Sequence, residues 1–89
     1  MLNELRSKLD SIDTDISKLL VERLNIVKLI GIEKQKTGWN TSIDKEREKR
    51  VINNIIVHSN EKYEKEALKE IYITIMNESK KIQDRILNK

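Results

Sequence analysis

The sequence predicts an all-α fold, three helices with a long first one, and three observations carry that expectation. The 89 residues contain no proline and only two glycines, so little interrupts a helical run. Charged residues make up 37% and aromatic residues 3%, which fits a helical bundle better than a sheet. Apolar residues recur in steps of three and four through three segments, parted by two short polar stretches.

In the first segment Leu2, Leu5, Leu9, Ile12, Ile16 and Leu19 form the heptad seam of a packed helix, which resumes at Ile26 and Ile30 after passing through Arg23. Gly31 costs about 1 kcal/mol against alanine, too little to end the helix. One helix from Leu2 to about Lys36 would be roughly 50 Å long. A compact domain of this length is only roughly 30 Å across, so the helix should overhang its own fold. A partner chain is the simplest way to bury the overhang.

The run Lys36-Thr37-Gly38-Trp39-Asn40-Thr41-Ser42 brings glycine and short polar residues together and marks a loop. A second helix should start near Ile43 or Asp44 and place Asp44, Arg47, Glu48, Val51, Ile52, Ile55 and Ile56 on one face. His58-Ser59-Asn60 punctuates again, and Glu61 and Glu64 suit the first turn of a third helix. That helix has Leu68, Tyr72, Ile75, Ser79, Ile82 and Ile86 in its seam, flanked by Ile71, Met76 and Gln83. Residues 1–89 read as a single domain, and no internal repeat is present.

Composition closes off several functions. Without cysteine there is neither a disulfide framework nor a thiolate metal site, and His58 has no second histidine at ligand spacing. No apolar run approaches the roughly 20 residues of a membrane span, and Glu4 and Asp10 do not fit a signal-peptide core, so a soluble, cytoplasmic chain is expected. The net charge of +3 is interleaved along all three segments, as on solvated helices, and no nucleic-acid-binding motif accompanies it.

Each helix nevertheless places polar groups where its periodicity asks for apolar ones, and burying them unpaired would cost several kcal/mol. Arg23 and Lys34 lie eleven residues apart, close to three turns, so they share a face about 16 Å apart and could hold one small dianion. Gly31 lies between them and would leave room for a ligand or a neighbouring backbone. Arg6 lies about 25 Å before Arg23 and cannot share a site with it inside one chain. An antiparallel partner could supply it.

At these positions the chain resembles the all-helical class of chorismate mutases, three-helix chains that form intertwined homodimers. Five motifs carry the resemblance: Leu5-Arg6-Ser7-Lys8-Leu9-Asp10-Ser11-Ile12-Asp13, Leu19-Leu20-Val21-Glu22-Arg23, Gly31-Ile32-Glu33-Lys34, Asp44-Lys45-Glu46-Arg47-Glu48-Lys49-Arg50-Val51-Ile52 and Ser79-Lys80-Lys81-Ile82-Gln83. Trp39, and the lack of a proline before Asp44, depart from the family's pattern. Glu48 is preferred to Glu46 because the other register turns Lys49 and Arg50 onto the packed face.

The resemblance implies conversion of chorismate to prephenate, in aromatic amino-acid biosynthesis, without cofactor or metal. It implies that Arg6 of the partner subunit and Arg23 grip the two carboxylates, with Arg47 and Ser79 in support. Lys34 and Gln83 would donate to the ether oxygen, and Glu48, with the backbone near Asp44, would take the ring hydroxyl. Two alternatives stay open: isochorismate pyruvate-lyase activity on the same fold, and a non-catalytic helical dimerisation or regulatory module.

Taken singly, each residue also has a plainer reading. Arg23 could pair with Glu48 across the bundle, or set register in a dimer seam. Arg6 could be solvated, and Arg47 and Glu48 could be ordinary surface charges. Asp44 could only cap the second helix, Ser79 could only permit close helix approach, and Gln83 could be solvated. Trp39 and the tyrosines would pack.

Overall fold

The computed structural model describes residues 1–88. Among these the chain forms α1 (Leu2–Lys36), α2 (Lys45–Ile56) and α3 (Lys62–Leu87). Their ends follow from local chemistry. α1 stops because Gly38 turns left-handed at φ 79°, a conformation that suits a residue without Cβ. The Trp39 amide then donates back to the Lys34 carbonyl at 2.9 Å and the Gly38 amide to that of Gln35 at 3.4 Å, the paired bonds of a Schellman motif. Asp44 caps α2, its carboxylate accepting from the Arg47 amide at 3.1 Å. Glu64 secures the start of α3 by accepting from the amides of Glu61 and Asn60 at 2.8 and 3.1 Å.

α3 packs against both other helices. Its contacts with α1 climb together, Arg23 with Ser79 and Gln35 with Ile86, so α1 and α3 run parallel, while α2 packs on α3 alone and runs antiparallel to it, Glu48 lying by Lys80 and Ile56 toward Lys69. Gly31 is buried at a close approach of α1 and α3. A Cβ there would lie 2.9 Å from Ile86 Cδ1 and 3.4 Å from Gln83 Cγ. The space expected beside Gly31 is therefore taken by α3.

The core is small. Val27 and Met76 are its buried apolar residues, and Ser79 and Gln83, at 8% and 7% exposure, are buried as deeply. Leu20 and Leu24 on α1 and Leu68, Tyr72, Ile75, Ile82 and Ile86 on α3 are half-buried around them, and Ile71 is exposed.

This burial corrects the reading of α1. The face it presents to α3 is the line Leu20, Leu24, Val27 and Gly31, whereas Leu2, Leu5, Leu9, Ile12, Ile16, Leu19, Ile26 and Ile30 keep 44–64% of their surface exposed. Both lines have heptad spacing. α3 takes the one containing Gly31, where the backbones can approach, and the longer seam stays open. The expected overhang is present: the chain measures 54 × 25 × 16 Å with a radius of gyration of 15.9 Å. A compact fold of this length would give about 12 Å. Among the described residues no helix is long and apolar enough to cross a membrane.

Candidate active site

A cavity of about 540 Å³ opens where the C-terminal half of α1, the start of α2 and the C-terminal half of α3 converge, a volume usual for small-molecule sites. It gathers seven of the expected residues: Arg23, Lys34, Asp44, Arg47, Glu48, Ser79 and Gln83. Ile26, Val27, Ile30, Val51 and Met76 supply an apolar lining. Arg6 is not among the lining residues. It is exposed, about five turns of a continuous helix away from Arg23.

The polar groups form two anchored pairs. Arg23 Nη1 donates to Ser79 Oγ at 2.7 Å, and that hydroxyl donates onward to the Ile75 carbonyl at 2.9 Å. Ser79 thus holds one arm of the guanidinium while the other donors of Arg23 are left to act elsewhere. At the other end Lys34 Nζ donates to Gln83 Oε1 at 2.8 Å and to the Thr41 carbonyl at 3.4 Å. An ammonium can only donate, so Gln83 must turn its oxygen to Lys34, leaving its NH₂ as the end that can donate to a ligand. Among the described residues no buried side-chain nitrogen or oxygen lacks a partner.

The plainer pairing of Arg23 with Glu48 is not formed. Glu48 instead forms an ion pair with Lys80, and both line the cavity. Asp44 caps α2 and faces the cavity, whereas Arg47 is largely exposed at its edge. Of the polar and aromatic lining residues, Glu33, Thr37, Trp39, Ser42 and Lys80 escaped the sequence reading, and two of these meet the side chain of an expected site residue. Lys80 adjoins Lys81 in a charged helix and looks like surface. Trp39 lies in a loop, where periodicity says nothing, yet the Lys34 ammonium sits 5.0 Å from the centre of its ring. The signal that could have found it is the Schellman rule pairing the second residue after the cap with the helix residue five before it.

The lining carries Arg23, Lys34, Arg47 and Lys80 against Glu33, Asp44 and Glu48, four positive charges and three negative, a net of +1. It contains no histidine or cysteine, and its buried hydroxyl is committed to Arg23 and Ile75. Such a cavity suits holding a small anion by preset donors better than nucleophilic attack on it.

An all-α chain with a cation-rich, apolar-walled cavity is thus the class defined by fold and site. Residues 5–84 match the family described as chorismate mutase type II, and the chain belongs to that family. The enzyme kind that goes with it is an isomerase. No match was found among the curated proteins compared with the chain.

Proposed function

We propose that the protein converts chorismate to prephenate in aromatic amino-acid biosynthesis, as a cytoplasmic homodimer with two equivalent sites. The observation that carries the reading is the Lys34–Gln83 pair, two hydrogen-bond donors held together at one end of the cavity while Arg23 and Ser79 stand at the other.

The reaction is an intramolecular rearrangement in which the ether carbon–oxygen bond breaks as a carbon–carbon bond forms. Atoms and charge balance within the substrate, and no proton need move. The protein has to select a folded conformer and compensate negative charge growing on the ether oxygen. Arg23, steadied by Ser79, would take one carboxylate, and Arg47 would support binding from the edge. Lys34 and the Gln83 amide would donate to the ether oxygen. Glu48, kept in place by Lys80, would accept the ring hydroxyl beside Asp44.

Arg6 of the partner subunit would take the second carboxylate. Two observations favour a second chain there. The lining's net charge of +1 falls one short of a dianion. The open stripe from Leu2 to Ile30 also needs cover, and an antiparallel copy of α1 would bring its Arg6 toward the cavity.

The test is to incubate the protein separately with chorismate and isochorismate and follow both by NMR. Prephenate from chorismate is the expected product. Pyruvate from isochorismate alone would reassign the site to lyase chemistry, and loss of neither substrate would leave a non-catalytic helical module.

A further inference from the structure

We propose that Trp39 is a positioning residue for Lys34, delivered to it by the same motif that ends α1; the role rests on the proposed chorismate mutase activity. In a Schellman motif the second residue beyond the cap packs on the third helical residue before it. Here that pair is Trp39 and Lys34, since Trp39 N donates to the Lys34 carbonyl at 2.9 Å. The side chains meet where the motif often brings two together, but the contact is an ammonium over an indole face, at 5.0 Å, rather than two apolar groups.

Three groups therefore converge on one ammonium: the Gln83 amide oxygen, the Thr41 carbonyl and the Trp39 ring. Lys34 sits on the last full turn of α1, where a four-carbon side chain would otherwise sample several rotamers. The ring is half-exposed and lines the cavity beside the ammonium. The left-handed Gly38 makes the arrangement possible, because the Trp39 amide reaches back to Lys34 only through that turn.

The test compares wild type, Trp39→Leu and Trp39→Phe, each also in a Lys34→Met background, by steady-state kinetics with chorismate. Leucine keeps an apolar contact for the motif but has no π face; phenylalanine keeps a face. Trp39→Leu should lower kcat about fivefold with KM changed less than twofold, and Trp39→Phe should retain most of the activity. The loss should vanish when Lys34 is already methionine. Equal losses for leucine and phenylalanine, or a loss that persists in the Lys34→Met background, would overturn the proposal, as would wild-type kinetics for Trp39→Leu.

Trp39 is the sole tryptophan, so its emission reads the contact without turnover. Lys34→Met should change the emission spectrum, and an unchanged spectrum would refute the contact. A wild-type protein inert toward chorismate with a Lys34-dependent spectrum would instead retire the parent reading and the kinetic role while leaving the contact standing.

Discussion

The Lys34 ammonium donates to the Gln83 amide oxygen at 2.8 Å, beside the close approach of α1 and α3 at Gly31. That bond fixes which end of the amide faces a ligand, and because an amide does not titrate, the NH₂ of Gln83 is a neutral donor at every pH at which the protein folds. Wild-type turnover should therefore show no limb that requires an acid between about pH 6 and 8. Glutamate donates only when protonated, and a carboxylate there would pair with Lys34. Gln83→Glu should lose about 10²–10³ in kcat at neutral pH and recover as the pH falls. A pH–rate profile of both forms reads this directly, and a wild-type rate falling steeply from pH 6 to 8 would sink the role of Gln83.

Gly31 sets the distance between the two helices that hold that pair. Alanine would press on Ile86 Cδ1, the far end of a flexible side chain, and gain about 1 kcal/mol of helix propensity, so Gly31→Ala should melt within about 5 °C of wild type. Valine adds bulk that must push on Gln83 and should cost about 1–3 kcal/mol together with activity. Thermal melts of the two variants should therefore diverge.

Lys80 and Glu48 form an ion pair with about a quarter of each side chain exposed, at 29% and 26%. A pair so placed is worth about 1 kcal/mol or less to stability. Replacing Lys80 by methionine removes one of four cations from the lining and frees a carboxylate to repel an anionic substrate. KM should rise about fivefold with a smaller change in kcat, and the melting temperature should move little. Initial-rate kinetics separates the two parameters.

The helices themselves were legible in the sequence because their signals are local. Periodicity, Gly38 and Asp44 place the boundaries of α1 and α2 within a residue or two, and Arg23, Lys34, Ser79 and Gln83 stood out as polar residues in apolar lines. The packed face of α1 was not legible. Two heptad lines run along the helix, and periodicity cannot rank them; the choice depends on Gly31 meeting α3, a contact between residues far apart in sequence. Lys80 was hidden for the same reason, since it owes its place to Glu48 on another helix. Trp39 was missed although Lys34 is close in sequence, because a loop has no periodicity and its pairing shows only through the turn at Gly38.

The open stripe of α1 predicts assembly. Wild type should sediment as two chains of 10.5 kDa, and Ile16→Lys, a charge placed in a line that is otherwise apolar, should shift it toward one chain and remove activity. Analytical ultracentrifugation with a parallel rate assay checks both.

Prephenate formation at a site built by two chains is tested most directly by complementation. Arg6→Ala and Arg23→Ala homodimers should each be nearly inactive, because every site then lacks one carboxylate contact. Unfolded together and refolded as an equimolar mixture, half the dimers would be mixed, and each of these would hold one intact site of two. The mixture should regain about a quarter of the wild-type rate of prephenate formation, by the pairing expected of a symmetric dimer. Activity no higher than the mean of the two variants would contradict a site that borrows Arg6 from a second chain.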